Sequence, residues 1–115
     1  SIVCGWNLIS KLAIKNNTQV IPVDSEHFSI WSLLQNNKTQ NIDKIYITAS
    51  GGPFLKLPLS KFSKISVKKA LNHPNWKMGK KISVDSANMM NKVFELIEAC
   101  KFFGFERKKY KILII

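Results

Sequence analysis

The chain reads as α/β with α+β character: one domain, a small mostly parallel sheet of about four strands, and helices flanking it. Three observations predict this. Short apolar runs bounded by turn residues alternate with stretches of helical periodicity. Three of those runs end in a polar corner that leads toward a helix. At 115 residues the chain can bury one modest core, and 45% hydrophobic with 10% aromatic residues is well above what disordered chains carry.

The elements follow in order. "LISKLAIKNN" (8–17) has the spacing of an amphipathic helix and stops at an Asn pair, and "QVIPV" (19–23) follows as a short apolar strand. Polar "DSEH" (24–27) then opens the helix "FSIWSLLQNN" (28–37). "KIYITA" (44–49) is the second strand and ends in "SGGPF" (50–54). The connection "LPLSKFSKISVKKALNHPNWKMGKK" (57–81) is long; its first part holds a short helix, whereas "NHPNWKMG" (72–79) has no period and mixes Pro, Gly, Trp and Met, as lids over active sites do. "KKISV" (80–84) is the third strand and runs through "DSANMMNK" (85–92) into a helix ending near Phe103. "YKILII" (110–115) supplies a fourth strand. Its apolar end has no turn after it, and the chain begins without Met, so a fragment of a longer polypeptide is expected.

Composition narrows the function. There is no apolar run of membrane-spanning length and no charged start with a cleavage pattern, so a soluble chain with no membrane partner is expected. Cys4 and Cys100 lack CxxC spacing and have apolar neighbours, which predicts buried free thiols in a reducing, cytoplasmic compartment. The net charge of +11 raises nucleic-acid binding. Against it, Arg107 is the sole arginine, although base readers and phosphate clamps favour the bidentate fork of Arg. No nucleic-acid partner is expected, and "ERKKYK" (106–111) reads as solvated surface.

In parallel sheets ligands bind beyond the carboxyl ends of the strands, so the three corners should converge. In "VDSEH" (23–27), Asp24 and Glu26 lie two apart, which in extended chain points both carboxylates to one side. Such a pair repels unless a cation such as Mg²⁺ or Mn²⁺ sits between, though taken alone it more often makes a solvated corner. "SGGPF" offers Ser50 and backbone N–H groups that an anion could approach, without the Walker or dinucleotide spacing. Ser86 is placed to cap the last helix, leaving its N-terminus open to a phosphate. Asn88, Asn91, Lys92 and Glu95 stack along one face of that helix, with Met89, Met90, Val93, Phe94, Leu96, Ile97 and Cys100 covering most of the rest. The plain alternative makes this stripe the solvent face, with Lys92 and Glu95 a surface pair worth ~0.3 kcal/mol. His73 can bind phosphate or move a proton, although a lone His is usually structural. Trp76 and Met78 stand in the loop, where a large ring is costly to expose unless it closes over something.

Taken together, "VDSEH", "SGGPF", "HPNWKMGKKISVDSA" and "MMNK" with Glu95 three residues on resemble the central catalytic domain of 1-deoxy-D-xylulose 5-phosphate reductoisomerase, in order and spacing over nearly the whole chain. The resemblance implies an enzyme that rearranges a ketose phosphate and reduces the product with NADPH, giving 2-C-methyl-D-erythritol 4-phosphate for isoprenoid precursors. It implies a divalent metal, Mg²⁺ or Mn²⁺, held by Asp24, Glu26 and Glu95. It places Ser50, His73, Ser86 and Asn91 on the substrate phosphate, Ser25 and Lys92 on other substrate oxygens, and Trp76 and Met78 in the lid. Lys92 and Glu26 would carry the catalysis. The substrate is a small phosphorylated sugar, and the full-length enzyme is expected to be a homodimer, cytoplasmic or, in a eukaryote, in a plastid-type organelle.

Two positions depart from the family: Val93 stands where it has Gly, and Asn88 where Thr is common. Residues 1–115 are expected to form the metal- and substrate-binding domain alone, with the NADPH-binding and C-terminal domains absent and no turnover by this piece by itself. The alternatives are an inactive remnant and a Lys-rich binding module.

Overall fold

Ile45, Ile47 and Ala49 alternate with Tyr46 and Thr48, and the two-residue period of a strand turns the first three inward. This strand, β1 (Ile45–Ala49), pairs in parallel with β2 (Tyr110–Ile114), Ile45 opposite Tyr110 and Ala49 opposite Ile114. The computed structural model describes residues 2–35, 41–74 and 76–115. Before β1 come α1 (Ile2–Lys15) and α2 (Ser25–Gln35). Between the strands lie a 3-10 turn (Leu59–Lys64), α3 (Val67–Ala70), α4 (Lys80–Ala87) and α5 (Met90–Phe103).

The core is where α2 and α5 cross one face of this sheet. Ile30 of α2, Ile45 and Ile47 of β1, Ala99 of α5 and Tyr110 of β2 are buried together, with Leu34, Leu96, Cys100 and Phe103 against them. Ala99 has no exposed surface, because its small side chain lets α5 approach the strands closely. The Tyr110 hydroxyl donates to the Ala99 carbonyl at 3.0 Å, and burial pushes that hydroxyl's pKa up. At its far end α5 stops at Gly104, which takes the left-handed conformation, φ 70°, that closes helices.

The strand count differs from expectation: two among the described residues, not four. "KIYITA" and "YKILII" are strands, but "QVIPV" carries no regular secondary structure and pairs with neither strand. Pro22 removes one donor there, and Val23 is exposed. "KKISV" is not a strand but the start of α4. Its Ser83 hydroxyl donates to the Gly79 carbonyl at 3.0 Å, Lys81 pairs with Asp85 one turn on, and Ser83 and Ala87 share the buried face. Three residues of "ISV" are too few to separate the two periods, and helical context overrides their strand propensity.

Other expectations also shift. The helix expected to run unbroken to Phe103 is interrupted at Asn88–Met89, so Ser86 sits in the last turn of α4 and does not cap α5. Cys4 is exposed and Cys100 half-buried, both free thiols, so the predicted burial of Cys4 does not hold. Asn36 and Asn37, the expected end of α2, and Asn75 of the loop lie outside the described residues. Among those described, no helix is long and apolar enough to cross a membrane.

Candidate functional site

The carboxyl ends of both parallel strands open onto a cavity of about 390 Å³. Its walls come from Asp24–Glu26 at the start of α2, from the turn after β1, from His73, Trp76 and Met78 and from the α4–α5 junction. All eleven residues singled out in the sequence line it: Asp24, Ser25, Glu26, Ser50, His73, Trp76, Met78, Ser86, Asn91, Lys92 and Glu95.

Each corner is held by local structure. Asp24 caps α2: its Oδ1 accepts from the Glu26 amide at 3.1 Å, and its carbonyl accepts from the Phe28 amide at 2.7 Å. Glu26 is therefore helical, so the extended geometry expected for "VDSEH" does not hold. The acids are gathered instead by the cap and by α5, and oxygens of Asp24, Glu26 and Glu95 all lie within 4.8 Å of one another. After β1, Gly51 and Gly52 both have positive φ, 86° and 69°. A Cβ on Gly52 would sit 2.6 Å from the Ser86 carbonyl oxygen, so this glycine lets the Ser50 turn close against the end of α4.

At the junction, Met89 adopts φ 64°, a left-handed conformation unusual for its side-chain type. It breaks the helix and restarts it, with the Asn88 side-chain oxygen accepting from the Met90 amide at 3.0 Å. The restarted α5 turns Asn91, Lys92 and Glu95 into the cavity. This inverts the solvent-face alternative: Lys92 is 8% exposed and Glu95 4%, while Met90, Val93 and Ile97 are the exposed residues of the helix. Val93, which stands at the position of the family's expected glycine, is 42% exposed and lies on the outer side of α5, away from the face that carries Lys92 and Glu95.

The charges interlock. Lys92 Nζ lies 2.5 Å from Glu26 Oε1 and 2.7 Å from Glu95 Oε2. Ser25 donates to Glu26 Oε2 at 2.5 Å, and the Asn91 amide to Glu95 Oε1. Burial raises the Glu95 carboxyl to about 7, the Lys92 contacts only partly offsetting it and the Glu26 and Asp24 charges adding to it. For Glu26, burial acts the same way but is outweighed by hydrogen bonds from Lys92 and Ser25, which hold it at about 2. For Lys92, burial acts to lower the pKa, but the two carboxylates outweigh it and raise the ammonium's pKa.

Sequence reasoning passed over His27. It is 2% exposed; its Nε2 donates to the Glu95 carbonyl at 2.9 Å, and Nδ1 stands 3.7 Å from Asp24 Oδ1. It thereby ties the two elements that carry the three acids. The available signal was its place one residue after Glu26, which in a helix turns it about 100° away, toward the core. Met89 was read only as apolar covering, because a left-handed Met has no sequence signature. His73 is buried and its Nδ1 accepts from the Trp76 amide at 3.2 Å, holding the loop, while the Trp76 ring is 65% exposed at the cavity rim.

The donor set suits a hard divalent cation: three carboxylates, no thiolate, and a buried ammonium already bridging two of them where positive charge is called for. Opposite ligands of Mg²⁺ stand up to ~4.2 Å apart, so a small closure of the side chains suffices.

Fold and site together define a class: an α/β domain whose strand ends open onto a carboxylate-lined pocket fit for a divalent cation. Within that class, the chain belongs to the 1-deoxy-D-xylulose 5-phosphate reductoisomerase family. Residues 20–103 match the family model described as the C-terminal domain of that enzyme, which corrects the expected central domain. The enzyme of that name from Pelagibacter ubique (strain HTCC1062) is 68% identical over 114 residues, and that from Wolbachia pipientis wMel 51%, each comparison covering 99% of this chain and 29% of the relative. A crystal structure of DOX-P reductoisomerase with NADPH, fosmidomycin and magnesium superposes with a TM-score of 0.86 at 40% identity, over 97% of this chain and 30% of that one. The Zymomonas mobilis enzyme with NADPH gives 0.82 at 38% identity, over 99% and 29%. The chain thus spans about three-tenths of the length of the relatives it matches.

Proposed function

We propose that this chain supplies the metal- and substrate-binding part of an NADPH-dependent reductoisomerase that converts 1-deoxy-D-xylulose 5-phosphate to 2-C-methyl-D-erythritol 4-phosphate. The observation that carries this reading is the meeting of Asp24, Glu26 and Glu95, from separate stretches of chain, beside a cavity lined by the hydroxyl, amide and imidazole groups a phosphate needs.

Asp24, Glu26 and Glu95 would hold the cation, which when bound supplies Lewis-acid polarisation of substrate oxygens. Ser50, Ser86 and Asn91 offer neutral donors to the phosphoryl oxygens, and His73 adds an imidazole whose orientation the Trp76 amide fixes. Ser25 and Lys92 face the remaining substrate oxygens, the Lys92 ammonium stabilising negative charge where it develops. Trp76, exposed at the rim, would cover bound substrate and exclude water, with Met78 beside it. No glycine fingerprint for a dinucleotide occurs in the chain, so NADPH is assigned to other parts of the enzyme. The intact set of eleven residues speaks against a decayed remnant.

Calorimetric titration of the chain with Mn²⁺ tests the reading. One saturable site is expected, lost in Glu95→Ala with the circular dichroism spectrum retained. Unchanged binding in a folded Glu95→Ala protein would refute the assignment.

A further inference from the structure

A cavity of about 430 Å³ lies apart from the carboxylate-lined one and shares none of its lining residues. Its apolar wall is made by Phe54, Leu57 and Ile65, all half-buried, with the Phe54 ring 6.3 Å from that of Phe62. Its polar wall is three exposed lysines, Lys61, Lys64 and Lys69. Local structure brings these to one place. Side chains three apart eclipse in a 3-10 turn, so Lys61 and Lys64 leave the Leu59–Lys64 turn on one side. Extended Ile65 ends that turn, its amide donating to the Phe62 carbonyl at 3.1 Å, and Ser66 caps α3 by accepting from the Lys69 amide at 3.4 Å.

No carboxylate answers these charges. Residues 44–84 hold nine lysines and no aspartate or glutamate, and among the described residues Lys61, Lys64 and Lys69 enter no ion pair. Three ammonium groups around one cavity repel one another, and an anion seated between them replaces that repulsion with attraction. A merely solvated lysine face has no concave apolar wall, whereas this one does, and its volume lies in the range of small-ligand sites. A nucleic-acid backbone calls instead for a groove that tracks successive phosphates. Here the charges gather at a single cavity.

We propose that this cavity is a second ligand site, independent of the metal site, for a soluble organic phosphate or diphosphate. The anionic head lies among the Lys61, Lys64 and Lys69 ammonium groups, and a short apolar body lies on Phe54, Leu57 and Ile65. Lysine suits such a head as a point charge that needs no fixed fork. The apolar wall sets the class, because a purely inorganic anion gains nothing from it.

Titration of the ¹⁵N-labelled chain with hexyl diphosphate, free of divalent cation, tests this. Amide shifts centred on residues 53–69 are expected, with an affinity at least about tenfold above that for inorganic diphosphate. The variant carrying Lys61→Gln, Lys64→Gln and Lys69→Gln together is expected to bind hexyl diphosphate about tenfold more weakly and to keep its melting temperature, since all three side chains are exposed. Shifts centred instead on Ser50, Ser86 and Asn91, equal affinity for the two diphosphates, or unchanged affinity in the folded triple variant each overturn the proposal. Capture by anionic phospholipid vesicles without binding of free hexyl diphosphate overturns it too, and makes this face a membrane contact. Should the triple variant not fold, the wild-type shift map and the comparison of the two diphosphates decide.

Discussion

Glu95 is the residue on which most of the site converges. Its side chain meets Asn91 and Lys92, its carbonyl receives His27, and its carboxyl titrates near 7 when its ordinary value is 4.5. A raised carboxyl means the folded chain holds the proton more tightly than the unfolded one. Without divalent cation, its contribution to stability is therefore present below pH 4.5 and lost as pH rises through 7. Glu26 runs the other way: held at about 2, it contributes above pH 4.5 and loses that contribution as pH falls toward 2. Thermal melts of the metal-free chain should thus fall between pH 5 and 7.5, and Glu95→Gln should flatten that fall. The sequence showed which residues share this stripe, because spacing of three and four is enough to align them. It did not show that the stripe is buried: hydropathy alone puts Met90, Val93 and Ile97 inward, and only a pocket with its own counter-charges makes Lys92 and Glu95 the inner face.

At the scale of elements, two backbone features shape the pocket. The left-handed Met89 separates α4 from α5 and re-aims the second helix. Met89→Gly should relieve the conformational cost, about 1 kcal/mol, and raise or preserve the melting temperature, whereas Met89→Val should lower it, because a β-branched side chain tolerates that conformation worst. Gly52 is the opposite case. Gly52→Ala would place a Cβ 2.6 Å from the Ser86 carbonyl at positive φ, so a loss of ~1–3 kcal/mol is expected by denaturant unfolding, with the Ser50 turn displaced from Ser86. The elements were unevenly legible. β1 and β2 carry clean periods and stand where the sequence places them, whereas α1 starts six residues before the expected 8–17 and α2 three residues before the expected 28–37, taking in the Ser25–His27 corner. "QVIPV" and "KKISV" misled because a short apolar or β-branched run does not reveal whether a neighbouring strand exists to pair with, and among the described residues neither pairs.

Across the whole molecule, a core of few residues supports the site. Ile47 and Ala99 anchor α5 on the sheet, and the Tyr110 hydroxyl locks the helix to β2 through the Ala99 carbonyl. Tyr110→Phe should cost about 1 kcal/mol in denaturant unfolding, as the buried carbonyl loses its side-chain donor, without abolishing Mn²⁺ binding. The three corners meet as the parallel α/β rule led one to expect, but only the corner after β1 follows a strand, so the rule gave the outcome without the right elements; the family was legible from motif order. The bridge from His27 to α5 was not legible, since it joins residues 68 apart, whereas the cap made by Asp24 spans only 2 residues and was missed because "VDSEH" was read as extended chain. The central claim is that one cation is held jointly by α2 and α5. Paramagnetic broadening of amide resonances by substoichiometric Mn²⁺ tests it most directly. Loss of signal centred together on residues 24–26 and 91–95, leaving Asp43 and Glu106 untouched, is the predicted result; broadening confined to those two exposed acids would contradict it.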